Sequence, residues 1–150
     1  MVFEESFEVE ASREKVWDFF SNPQDSLRCL SEVISISEVE PGVFDLVSKV
    51  RMGLLSFKIF SRTTFTQNCE SWELHMRTQG HDRLRMGSFN QESLTCLKEL
   101  DGGGTEVFCR MEVDFSGTLA KLGEGLIRKS SQEMSSSFAK HVKQILEDRG

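Results

Sequence analysis

Three histidines, four cysteines and no tyrosine bound the chemistry open to this 150-residue chain. His75 falls on the outward side of an alternating segment, His81 in a turn, and His141 beside an apolar helical stripe. None has a sequence partner suited to nucleophilic or general-base work. Ser135, Ser136 and Ser137 lack the strand–turn–helix setting of a nucleophile elbow. Gly102-Gly103-Gly104 joins two strand-like segments rather than a strand and a helix, so it is no phosphate loop. Cys29, Cys69, Cys96 and Cys109 are spaced by 40, 27 and 13 residues with no CxxC pair, so no metal site is expected. Reduced and mostly buried thiols are the expectation. The acidic pairs Glu4-Glu5 and Glu147-Asp148 belong at the surface. No catalytic residue, metal ligand or cofactor site can be nominated from residue types and spacing.

The elements that would carry these residues are clearer. Apolar residues at Leu119, Leu122, Leu126, Ile127, Met134, Phe138, Val142, Ile145 and Leu146 recur in steps of three and four. That spacing predicts one long helix over 118–146, about 43 Å in length, with Ser130 and Ser137 interrupting its greasy face. Gly123 and Gly125 are costly inside a helix and are expected to serve close packing, with a soft point for helix movement as the functional alternative. Most of the preceding chain alternates with period two. Phe3, Phe7 and Val9 oppose Glu4, Ser6 and Glu8. Ser12 is a suitable N-cap for a short helix carrying Val16, Trp17, Phe19 and Phe20, which Asn22-Pro23 ends. A second short helix is expected over 24–30. Strands follow at 33–39, 43–52 and 55–65, and then from Trp72, with turns at Pro41-Gly42 and Gly53. Residues 84–100 change phase, which suggests a bulge or kink at Gly87. Asp101-Gly102-Gly103-Gly104 then turns into a last strand with Val107, Cys109, Met111, Val113 and Phe115 on one face. The order is β-α-α, six strands, then α. A long one-faced helix needs an equally long apolar partner, so the fold class is α+β, a curved antiparallel sheet of about seven strands gripping the C-terminal helix. The length suits one domain, residues 1–150.

No apolar run is long enough to span a membrane, and the acidic, alternating start is unlike a secretion signal, so the cytoplasm is the expected location. The net charge of −6 argues against nucleic-acid binding. Lys121, Arg128, Lys129, Lys140 and Lys143 give the last helix a basic outer face. That face is expected to be simply solvated, the sharper reading being transient contact with an anionic membrane surface or an acidic partner.

Three stretches carry a family resemblance. Phe7-Glu8-Val9, followed by Ala11 to Phe20, resembles the opening strand and "A-x-x-E-x-V-W-x-F" helix of the START-like (SRPBCC, Bet v 1-like helix-grip) superfamily. Leu30-Ser31-Glu32-Val33 is similar to a "C-L-P-G-V" turn, with Ser31 and Glu32 in place of Pro-Gly. Gly117 to Gly123 with Leu126-Ile127 resembles the "G-x-L-A-x-L-G-x-x-L-I" start of the last helix in the CoxG subgroup, named for a subunit of carbon monoxide dehydrogenase. The resemblance implies a helix-grip fold with an internal cavity for a hydrophobic small molecule such as a lipid or quinone. It also implies a CoxG-like accessory role toward a molybdenum hydroxylase-type enzyme. Some subgroup members carry a further membrane-anchoring tail. This chain ends at Gly150, so at most transient membrane-surface contact is expected, with the protein a monomer or dimer.

The expected ligand-lining residues are Leu46, Val50, Met52, Phe57, Trp72, Leu74, Met76, Met111, Val113, Leu126, Met134 and Phe138. Inward polar groups are expected at Ser48, Ser61, Thr63, Thr78, Ser88, Cys96 and Cys109, with no acid or base beside them. Two alternatives stay open. A cyclase, dehydratase or hydrolase acting on an aromatic or polyketide-like substrate would need a titrating group among those polar residues. A protein-interaction module without ligand would need a filled core and an exposed apolar patch.

Overall fold

A computed structural model describes residues 1–147. The chain runs β1 (Val2–Val9), α1 (Arg13–Phe20), α2 (Pro23–Ser26), β2 (Val33–Glu40), β3 (Val43–Met52), β4 (Leu55–Asn68), β5 (Glu73–Asp82), β6 (Gly87–Glu99), β7 (Thr105–Gly117) and α3 (Glu124–Glu147). Short 3₁₀ turns lie at Leu27–Cys29 and Ala120–Leu122. All seven strands pair antiparallel in the order β1-β7-β6-β5-β4-β3-β2. This is the helix-grip arrangement expected, in the order expected.

Local chemistry explains the starts and stops. Ser12 caps α1, its Oγ accepting from the Lys15 N–H at 3.3 Å. Pro23 opens α2, where its missing N–H costs nothing. The expected second helix over 24–30 is split, because the chain tightens from α2 into the 3₁₀ turn at Leu27.

The long helix begins later than its apolar spacing suggested. Residues 120–122 form a single 3₁₀ turn, and Gly123 leaves helical geometry at φ +90°. Its carbonyl accepts the first bond of α3, from the Ile127 N–H at 3.2 Å. Positive φ suits glycine because no Cβ clashes there. The helix therefore has 24 residues, about 36 Å rather than 43 Å. Leu119 keeps its inward role from the connection and is buried. The close packing expected at Gly123 and Gly125 does not occur, since a Cβ at either position would meet nothing within 4 Å.

The β6 bulge is also absent. Its pairing is unbroken with β7 from Gly87 to Glu99 and with β5 from Ser88 to Cys96. Phe89, Gln91, Ser93, Thr95 and Leu97 share the face of Val107, Cys109, Met111, Val113 and Phe115 on β7. Met86, Leu94 and Cys96 misled the phase. Met86 is in the preceding turn, and Leu94 and Cys96 are half-buried on the opposite, convex side. At the start of β6 a Cβ on Gly87 would meet Thr118 Oγ1 at 2.5 Å and Leu119 Cγ at 2.7 Å, so only glycine lets the β7–α3 connection pass this close.

Three buried clusters hold the layers together. The largest joins Val9, Val16, Phe20, Cys29, Leu74, Leu97, Val107, Val142 and Leu146 at the end capped by α1. A second joins Phe3, Val113 and Ile127 near the start of α3. A third joins Leu27, Phe44 and Leu46 beneath the Leu27–Cys29 turn. The far end of α3 is tethered to α1 and its flank, with Lys15 Nζ donating to the Leu146 carbonyl at 3.0 Å and the Glu10 N–H to Glu147 at 2.8 Å. A cation beside the last carbonyls also suits the helix dipole. Asp148 lies outside the described residues.

Candidate functional site

The concave face of the sheet can be read strand by strand from the register. It presents Phe3, Glu5 and Phe7 on β1; Cys109, Met111 and Val113 on β7; and Phe89, Gln91, Ser93 and Thr95 on β6. It continues with Leu74, Met76 and Thr78 on β5; Phe57, Ser61, Thr63 and Phe65 on β4; and Leu46, Ser48, Val50 and Met52 on β3. Helix α3 approaches β1, β3 and the Leu27–Cys29 turn, and its Val142 and Leu146 share a buried cluster with Leu74, Leu97 and Val107 at one end of β5, β6 and β7. The central concave side chains Met76, Thr78, Gln91 and Met111 are only half-buried, although α3 lies over this face. Val16 and Val142, by contrast, are 0% exposed.

Polar groups are gathered along this floor. The hydroxyls of Thr63 and Thr78 are 2.8 Å apart. Gln91 Nε2 donates to Ser93 Oγ at 3.1 Å and lies 3.4 Å from Met111 Sδ. Thr95 Oγ1 donates to Cys109 Sγ at 3.7 Å. Glu5 pairs across the ladder with Cys109. Burial pushes the Cys109 thiol up, the Thr95 hydroxyl opposes this, and Glu5 adds to it. Burial likewise raises Cys29 to about 11, with Asp25 contributing, and raises Cys96, with Glu73 contributing. These directions are opposite to that of an activated thiolate.

The expected ligand residues are distributed unevenly. Met76, Met111, Phe57 and Val50 are half-buried on the concave face, and Leu46, Leu74 and Val113 are buried there within the clusters. Met52 packs on the cluster near the start of α3, and Gly53 is in reach of Leu126, so Met52 and Leu126 mark one end. Phe138 and Trp72 close the other end. Phe138 packs between Phe7 and Phe20, with ring centroids 6.4 and 6.1 Å away. Trp72 is not on β5 as its alternation implied. It occupies the β4–β5 turn at φ +57°, stacked edge-on to Trp17 at 5.6 Å and covered by the Arg13 guanidinium at 4.1 Å.

Val50 and Met134 also line a crevice of about 340 Å³ between β3 and α3. Ser130 and Ser137, which interrupt the apolar stripe of α3, form its other wall. Glu32, Lys49, Arg51 and Glu133 ring it with charge.

Several inward polar residues were misplaced by the sequence. Ser88 and Cys96 belong to the convex phase of β6, and Cys96 Sγ contacts Glu73 there at 3.6 Å. Gln91, Ser93 and Thr95 replace them inside. Glu5 is half-buried on the concave phase rather than exposed beside Glu4. Its signal was present, since Phe3, Glu5 and Phe7 are spaced by two. The expectation that the thiols are mostly buried fails at Cys69, which is exposed. His75 is exposed as expected. His81 belongs to β5, where its ring stacks on Phe60 at 5.9 Å. His141 is structural: its Nδ1 lies 2.9 Å from the Cys29 carbonyl, which can only accept, so this nitrogen carries the proton.

A seven-stranded sheet gripping one long helix over a partly polar floor defines a START-like, Bet v 1-type protein. More specifically, residues 6–147 match the family model of CoxG, a carbon monoxide dehydrogenase subunit, and the chain belongs to that family. A search of curated proteins found no match. Among solved structures, a conserved protein from Geobacillus kaustophilus superposes with a TM-score of 0.88 at 15% identity, covering 99% of this chain and 96% of the other. A START superfamily protein from Mycobacterium smegmatis gives 0.77 at 16% identity, covering 99% of both. The Zhui aromatase/cyclase from a Streptomyces species gives 0.66 at 10% identity, covering 97% and 95%. At these identities the likeness establishes the fold. Among the described residues, no helix is long and apolar enough to cross a membrane.

Proposed function

We propose that this protein binds a hydrophobic small molecule of lipid or quinone type between the concave face and α3. The observation that carries this reading is the half-burial of Met76, Thr78, Gln91 and Met111 on the face that α3 covers. The lining fits such a ligand. Methionine and phenylalanine accommodate varied apolar shapes. The hydroxyls of Thr63 and Thr78 and the amide of Gln91 offer donors to a ligand oxygen. The crevice beside Ser130 and Met134 would serve as the entrance, and the aromatic plug of Trp17, Trp72, Phe20 and Phe138 as the closed end. Membership of the CoxG family supports an accessory role, and we propose a molybdenum hydroxylase-type enzyme in the cytoplasm as the partner that receives or supplies the ligand.

Native mass spectrometry of the protein purified from its own host, followed by denaturing extraction, tests the reading. A co-purifying apolar molecule near one per chain is expected. A uniformly apo mass that also stays unchanged on incubation with long-chain quinones and fatty acids would remove the ligand-binding role.

A further inference from the structure

We propose that the interior ligand site, on whose existence this selectivity rests, uses the Glu5 carboxylate to favour apolar molecules that present a hydroxyl donor. Of a quinone-type couple it holds the hydroquinone more tightly than the quinone.

Glu5 faces inward by its phase. It lies between Phe3 and Phe7 on β1, and both neighbours pack against α3. Phe3 shares a buried cluster with Ile127, and Phe7 meets Phe138 edge-on at 6.4 Å. Between those two contacts α3 carries Ser130, Ser131, Ser135 and Ser137 at buried and half-buried positions. Glu5 itself is half-buried. Across the ladder it pairs with Cys109. The adjoining inward row is Phe3, Met111, Ser93 and Met76, so the carboxylate borders the half-buried floor.

No ion pair or side-chain hydrogen bond among the described residues engages Glu5. The concave phase of the strands carries no Lys or Arg. Arg128, which reaches β1 from α3, is committed to the Val2 carbonyl at 3.2 Å, the Phe3 ring at 5.0 Å and Glu124 at 3.7 Å. Two other acids in the concave phase are engaged. Asp82 on β5 accepts from Thr118 Oγ1 at 3.1 Å and from turn amides, and Glu99 on β6 meets Arg13 at 3.9 Å.

The other polar groups of the floor set no direction. The hydroxyls of Thr63, Thr78, Ser93 and Thr95 and the amide of Gln91 can each donate or accept. A carboxylate only accepts. A quinone ring offers acceptor oxygens alone, which a carboxylate repels. The O–H of a hydroquinone or phenol donates to it, and a hydrogen bond to a charged acceptor is about twice as strong as a neutral one.

Isothermal titration calorimetry of the full chain under anaerobic conditions, with decylubiquinol and with decylubiquinone, tests the proposal. The reduced form should bind roughly tenfold more tightly. Glu5→Gln should weaken binding of the reduced form by about that factor and leave the oxidised form's affinity unchanged or raised. Glu4→Gln makes the same charge change on the outward side of β1 and should alter neither. Equal affinity of the parent for the two forms overturns the proposal, as does a parallel loss for both forms in Glu5→Gln. Either result leaves the ligand site standing. If neither form binds, the ligand site itself fails and the selectivity falls with it.

Discussion

Three truncations distinguish a hollow interior from a solid one: Val142→Ala, Met76→Ala and Met111→Ala. Val142 is 0% exposed, on the inner face of α3 within the largest buried cluster. Removing its two methyl groups forfeits about 1.6 kcal/mol of transfer free energy. The void left in a close-packed site adds about 1 kcal/mol more. Met76 and Met111 each lose three side-chain heavy atoms, a larger deletion. Both are only half-buried, however, so truncation enlarges an existing space instead of creating one, and the cavity cost drops out. Each should therefore cost about 1 kcal/mol or less, against about 2.5 kcal/mol for Val142→Ala. Urea unfolding followed by circular dichroism, with the slope checked for constancy, measures all three. Thermal midpoints should follow, at roughly 2–4 °C per kcal/mol for a chain of this size. If Met76→Ala and Met111→Ala each destabilise as much as Val142→Ala or more, the methionines sit in a packed core, and the reasoning that places a ligand beside them is wrong.

Thiol chemistry and acid stability give two more tests. Ellman's reagent at pH 8 should titrate one fast thiol, the exposed Cys69, and Cys69→Ser should abolish that phase. Cys29, pushed up to about 11 from 9.0, holds roughly a hundredfold less thiolate than an ordinary cysteine and should react only on unfolding; rapid modification of Cys29 would contradict the packing of α3 on the Leu27–Cys29 turn. Asp82 behaves as a depressed carboxylate. Burial raises it, but hydrogen bonds from Met86, Thr118, Leu84 and Gly87 outweigh that and hold it below its ordinary value of 3.8. Because the folded pKa is the lower one, its stabilising contribution is complete above the unfolded value and is lost as pH falls through the folded value. Asp82→Asn should therefore be less stable than the parent at pH 7, with the gap closing below about pH 4. A gap that persists unchanged at pH 2 would show that the carboxylate charge is not what fastens the β5–β6 turn.

How much of this was legible beforehand follows from the physics of each element. Strict alternation from Phe44 to Met52 and from Val107 to Phe115 identified strands and faces directly, because a period of two leaves no other assignment. The 3.6-residue stripe found α3 but overran its start, since Leu119 and Leu122 keep the apolar phase while the backbone at Gly123 does not. Strand β6 was misread because side chains on a convex face can be apolar without being core: Leu94 and Cys96 outvoted Phe89 and Leu97. That single error hid Gln91, Ser93 and Thr95 of the polar floor. Glu5 was passed over because two adjacent acids suggest a surface, although in a strand neighbours point to opposite sides. The pose of α3 across the sheet has no one-dimensional signature at all. It depends on which strands the helix crosses.

The central claim is that an apolar ligand enters between the concave face and α3, and methionine methyl NMR tests it most directly. The six methionines act as separate reporters. On titration with decylubiquinone or oleate, Met76, Met111 and Met134 should shift together and saturate, while Met86, 61% exposed on the β5–β6 turn, should not. If only Met86 moves, or if the interior methionines stay fixed through the titration, the ligand adsorbs to the surface and the space beneath α3 is not a binding site.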